Sequence, residues 1–221
     1  MALNKLKFNS LNVTPAAGKS IGFNSSANGL EATFSGGAMT IVKKLTASSS
    51  NTLSFVNGSS NVTLDNTFKE YIFIFTNIHP GTDNVNFLFN MSADTGSNYN
   101  VTKTTTVFRA YHQEDNSVAN LGYNNTDDLA QGTGFQKLAQ QVGGNNDDSL
   151  SGVLHLFDPS STTFVKHFIS RVSQNYRSGN PAELDYFVAG YGNTTSAIDA
   201  VQFKMESGTI ESGTITLYGI N

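Results

Sequence analysis

The chain has no cysteine, no tryptophan, only four prolines and few charges. Without cysteine there is neither a disulfide framework nor a thiolate metal site, so the fold has to rest on its apolar core. Charged residues make up 14% of the sequence, against about 25% in an average globular chain. The balance of 13 basic and 17 acidic side chains leaves a formal charge of −4, which argues against a nonspecific grip on nucleic-acid phosphates. No apolar run approaches the ~20 residues of a membrane-spanning helix, so no membrane insertion is expected. The start, residues 1–7, lacks the long apolar stretch of a secretory signal. The expectation is a soluble chain made in a reducing compartment.

What stands in place of charge is Ser, Thr, Asn and 20 glycines, a mixture that favours strands and turns over helices. Sixteen Phe and eight Tyr supply core volume, and 221 residues are enough to bury a full core. From Ala38 onward, turn-bounded strand patterns recur. Residues 39–45 and 52–56 read as strands. Residues 70–76, Glu-Tyr-Ile-Phe-Ile-Phe-Thr, have no polar side in the middle, which predicts a central strand covered on both faces. Val85, Phe87 and Phe89 alternate with Asn86 and Asn90. Residues 101–111 form a Thr-rich stretch that reads as solvated on one side. Further strands are expected over 151–157, 162–172, 184–191, 200–205 and 214–220, the Val201/Phe203/Met205 alternation being the cleanest. One segment departs from this: Phe135, Leu138, Ala139 and Val142 sit at helical spacing, with Thr133 to Gln136 shaped like a capping box and Gly143-Gly144 as a stop. A short helix is expected there. The fold class predicted is all-β, an antiparallel β-sandwich of jelly-roll type, with one short helix and an extended N-terminal arm.

The arm comprises residues 1–37 and the sandwich residues 38–221. In the arm, short apolar pairs (Leu6/Phe8, Leu11/Val13 and Ile21/Phe23) lie between small polar residues, too little surface for a core of its own. Their alternation suits strand pairing with a partner, so these six are the candidate docking residues. Lys5, Lys7 and Lys19 face only Glu31 in this segment, which makes it locally basic on an acidic chain.

Signals for chemistry are sparse. His155 and His167 fall inside predicted strands and His79 and His112 at strand ends, positions where a hydrogen-bonded structural role is the plain reading. Neither H-x-H nor H-E-x-x-H occurs. Asp127-Asp128 and Asp147-Asp148 offer carboxylates, the latter in a Gly-Asn-rich loop whose oxygens suit calcium but whose spacing is not that of a calcium-binding loop. There is no G-x-S-x-G elbow and no glycine-rich phosphate loop. Eight N-x-[ST] sequons are what an Asn-, Ser- and Thr-rich chain contains by chance. No catalytic residue, cofactor or metal is assigned, and a non-enzymatic protein is expected.

Several stretches carry a resemblance. Residues 44–50 with 53–55, residues 70–80, 94–99 and 156–161, and the ending Gly213-Thr214-Ile215-Thr216-Leu217-Tyr218-Gly219-Ile220 resemble small β-sandwich virion proteins of tailed phages, notably cyanophages. Leu11 to Gly18 is similar to lead-in segments of phage fibre and appendage proteins. The resemblance covers most of residues 40–221 and lies in turns and strands, without an active-site signature. It implies a structural component of a virion, most readily a tail fibre or tail-attached appendage docked through its arm on other virion proteins. It also implies a homo-oligomer, with a trimer favoured. A capsid-decorating protein fits the same features. A carbohydrate-binding module, contacting a host-surface glycan, is a further reading that calls for an aromatic platform on one face.

Overall fold

The computed structural model describes residues 20–23, 30–33, 38–176 and 180–220. The chain divides into two units, Met1–Ala38 and Met39–Asn221. In the first, β1 (Ser20–Phe23) pairs antiparallel with β2 (Leu30–Thr33), with Ile21 opposite Ala32 and Phe23 opposite Leu30.

The second unit is built from twelve strands. In chain order these are β3 (Met39–Thr46), β4 (Leu53–Val56), β5 (Glu70–Pro80), β6 (Val85–Ser92), β7 (Lys103–Gln113) and β8 (Ala119–Tyr123). They continue as β9 (Gln136–Val142), β10 (Leu150–Phe157), β11 (Lys166–Tyr176), β12 (Ala182–Gly192), β13 (Ala200–Met205) and β14 (Ile210–Ile220). All pairings are antiparallel. One run of strands is ordered β3-β14-β5-β10-β11-β12-β7-β8, and the other β9-β6-β13-β4. The two runs are joined by one strand-to-strand pair, Tyr176 with Val142, while Ser50 with Ile210 prolongs the β3–β14 ladder. Setting aside the hairpins β7–β8 and β11–β12 leaves two facing four-stranded sheets, β3-β14-β5-β10 and β4-β13-β6-β9. That is the strand order of a jelly roll, which the sequence predicted. The two hairpins extend one of its sheets beyond β10.

The core between the facing sheets is aromatic. Phe203 of β13 meets Phe55, Phe73, Phe75, Phe87 and Phe89, with ring centroids 5.2–6.4 Å apart. Phe55 and Phe75 meet it edge-to-face and Phe87 and Phe89 stack on it, both arrangements that the ring quadrupoles favour. Tyr71, Phe73, Phe75, Phe87, Phe89, Leu154, Leu156, Phe203, Ile215 and Leu217, the residues the strand patterns point inward, are all buried.

Three sequence expectations need correction. The helix over residues 133–143 is absent: Gln136–Val142 is strand β9. Its register against β6 slips twice, so that Val85, Phe87 and Leu88 oppose Val142, Ala139 and Lys137. Each slip inserts an extra residue in β9, and Gln141 takes a positive φ of 50°. Bulges of this kind reset the inward phase, turning a period of two into the three-residue spacing of Ala139 and Val142 that imitates a helix. The strand buried along its whole length is β6, not residues 70–76. In β5, Ile72 and Ile74 point to a half-buried outer face. Asn86 and Asn90 of β6, expected on a polar face, are buried and hydrogen-bonded.

Candidate contact surface

The inward faces of the two added hairpins carry buried polar groups among core residues such as Val107, Phe168, Val172, Leu184 and Val188. Lys103, Thr105, Lys166, Ser170 and Gln174 are all buried there. Register places Lys103 and Lys166 on either side of Gly192 in one cross-strand row. A Cβ on Gly192 would stand 2.9 Å from Met91 Cε and 3.0 Å from Val101 Cγ1, so this position is closely packed. Lys103 Nζ donates to Asn90 Oδ1 and, at 2.8 Å, to Val101 O. Lys166 Nζ donates to Phe164 O at 2.6 Å and Thr194 O at 3.3 Å. Burial brings the Lys103 ammonium down to about 7, since removing a cation from water favours its neutral form. Burial lowers Lys166 as well, against a smaller upward pull from Asp158.

The segment after β8 folds back along β7 and closes this interior. Lys103 N donates to Gly132 O at 2.8 Å and Thr105 N to Leu129 O at 2.9 Å. Asp127 is its anchor. The carboxylate accepts from Tyr186 Oη at 2.6 Å, Asn124 Nδ2 at 2.7 Å and Lys137 Nζ at 2.6 Å. Burial, with Asp127 beside it, pushes the Tyr186 phenol strongly up. Gln136 ties the segment to the sheets, accepting from Thr105 Oγ1 at 2.7 Å and donating to Asp127 O at 2.9 Å. Every member has a partner, as a buried polar network requires. This arrangement fixes a segment in place.

The outer face of the eight-stranded run is the surface with features of a contact site. Register sets Tyr123, Phe108, Phe187 and Arg171 side by side across β8, β7, β12 and β11. Phe108 and Phe187 stack with centroids 4.5 Å apart and planes 9° from parallel. The Arg171 guanidinium covers the other side of Phe187 at 4.9 Å and makes a bidentate pair with Asp185, its shortest bond 2.7 Å. The next row, Thr106, Ala189 and Ile169, has small residues in its centre. They leave an open groove of about 470 Å³ between Thr104, Tyr191, His167, Ile169 and Phe157. No acidic residue, lysine or arginine lines it. Ile169 is 52% exposed and Leu121, at the β8 edge, 70%. The phase of residues 101–111 carried a signal for this face: with Val101 to Val107 inward at odd positions, Phe108 must point out.

The sequence-derived candidates fall elsewhere. Leu6, Phe8, Leu11 and Val13 lie outside the described residues, while Ile21 and Phe23 belong to β1. His155 Nδ1 lies 2.6 Å from Glu70 Oε1. His79 uses Nδ1 on Asp148 O at 2.7 Å and Nε2 on Glu211 at 3.2 Å. Both read as structural contacts. Asp148 folds into its own turn, its Oδ2 accepting from Asn145 N at 3.0 Å. Among the described residues, no three His, Asp or Glu side chains gather closely enough to share a metal ion. No family model, curated protein or solved structure matches the chain.

Proposed function

We propose that the chain is a structural, non-enzymatic component of a tailed-phage virion. Within the virion it acts as a tail fibre or tail-attached appendage that docks through its N-terminal segment and assembles with copies of itself. The observation that carries this reading is a jelly roll enlarged by two hairpins whose outer face is aromatic and half-apolar, preceded by a separate short unit. A large exposed sheet face with rings along it suits contact with another surface. The buried polar network around Asp127, whose members all have partners, suits rigidity over turnover. The resemblance of residues 40–221 to small virion β-sandwich proteins points the same way.

Mass spectrometry of purified particles, with tails and empty capsids separated, tests it. The chain is expected in the tail fraction; finding it on capsids supports the decorating role instead, and its absence from both ends the reading. Deleting residues 1–35 is expected to leave the melting temperature nearly unchanged while abolishing incorporation into particles.

The glycan reading draws on one specific feature, the uncharged groove beside Tyr191, His167 and Thr104. A neutral sugar with one apolar face fits such a lining. The Phe108/Phe187 pair does not serve it, because the two rings cover each other and Arg171 covers the remaining side of Phe187.

A further inference from the structure

A β-sandwich must do something with the strands at the margins of its sheets, since each exposes unpaired N–H and C=O groups. Four strands lie at such margins here, and three of them are protected. The strand β3 carries Lys43 and Lys44 and a register slip against β14. On the other sheet, β4 has four residues, and β9 is slipped twice and held at Gln140 N by Gln174 Oε1. The fourth, β8, is different. Its residues Ala119–Tyr123 include no charge and no proline, it pairs only with β7 in even register, and Leu121 and Tyr123 are 70% and 58% exposed.

The backbone of β8 has a definite phase. Asn124 N donates to Val107 O, and Val118 O accepts from Gln113 N. Successive residues of a strand point their amides to opposite sides, so even-numbered residues face β7 and Ala119, Leu121 and Tyr123 face away.

We infer that β8 is a self-pairing edge, joining two copies of this chain antiparallel about a two-fold axis through Leu121, so that their large sheets become one. The phase requires no adjustment. About that axis, Leu121 meets the second copy's Leu121 and Ala119 meets its Tyr123, and all of these residues already point outward, so each opposed pair exchanges both of its hydrogen bonds. Side chains match too: the bulky Tyr123 falls opposite the small Ala119, and Leu121 extends the apolar outer face across the axis. No charge meets its own copy, whereas β3 paired with itself would set Lys43 and Lys44 among like charges.

A single-strand contact buries less than the ~1,200–2,000 Å² of a stable standard interface. The dimer is therefore concentration-dependent. It is isologous and closes at two copies, so it does not form the three-fold ring that the resemblance implies. It also stands apart from the virion reading, since localisation in particles and self-pairing in solution are measured separately.

The test uses the full chain in sedimentation equilibrium from low to several hundred micromolar. A monomer–dimer equilibrium is expected, and L121K should remain monomeric throughout with an unchanged circular-dichroism spectrum. A second variant, L121C, exploits the absence of native cysteine. Hydrogen-bonded antiparallel pairs hold their Cα atoms about 5.5 Å apart, within disulfide reach. Oxidation should convert L121C to covalent dimers, and leave I41C, equally exposed on β3, largely monomeric. A monomer at every concentration, a trimer without dimer, or equal cross-linking of both cysteine variants would overturn the inference.

Discussion

The jelly-roll half of the molecule and the half added by β7, β8, β11 and β12 hold together by different chemistry. In the first, two sheets face each other, every inward group can be apolar, and Phe203 sits among five other phenyl rings. In the second, the added strands extend past the smaller sheet, and the chain after β8 folds along β7 to cover them. That segment brings backbone amides and carbonyls with it, and those groups need partners. Thr105 Oγ1 accepts from Leu129 N, Gln136 donates to Asp127 O and Asn90 to Thr133 O, while Tyr186 donates to the Asp127 carboxylate. A sheet covered by a sheet can be apolar throughout, while one covered by irregular chain needs polar side chains among its apolar ones.

That contrast can be broken from either side. The largest effect is expected in the aromatic half: Phe203→Ala should cost about 3–5 kcal/mol in urea unfolding, because the surrounding rings cannot collapse into the void. In the polar half, Asp127→Ala removes one acceptor and leaves the Tyr186 hydroxyl buried without it, a loss of about 1–3 kcal/mol. It should also raise protease sensitivity between Asn124 and Gly134, which the Phe203 variant would not do selectively.

Lys103 sharpens the comparison through pH. Its folded value is about 7 against an ordinary 10.5, so between those limits the unfolded chain binds more protons than the folded one. Stability should therefore rise with pH from 7 to about 9.5, below the range of the phenols. Lys103→Met should flatten that rise, and a persisting rise would assign it to other groups. The smallest effect belongs to the outer face: Arg171→Ala breaks an exposed pair with Asp185 and should change stability by less than about 1 kcal/mol.

Much of the aromatic half was legible in the sequence: the residues its strand patterns point inward, from Tyr71 to Leu217, are buried. The two β9 slips hid a strand behind helical spacing, because phase is all a single sequence shows. β8 escaped because its side chains are mostly exposed and leave no alternation to detect. Lys103, within a run of threonines, gives no sign of burial, since its partner Asn90 comes from another strand and Gly132 folds back beside it. The groove and the aromatic row combine residues from four strands, and their proximity depends on register that no local pattern fixes. The docking residues proposed in the arm concern contacts beyond this chain.

The position of β14 has a consequence for synthesis. It lies between β3 and β5, pairing Ile215 with both Leu45 and Phe75. Residues far apart in time on the ribosome are thus neighbours in the middle of a sheet. Chains grow at about 5–20 residues per second, so for several seconds β3 and β5 exist without the strand that separates them. Contacts of such long sequence separation also form slowly once the chain is complete. The nascent protein therefore passes through a period in which β3 and the apolar β5 stand open where β14 will pair, and a chaperone that shields them until Ile220 has emerged should raise the yield of folded product.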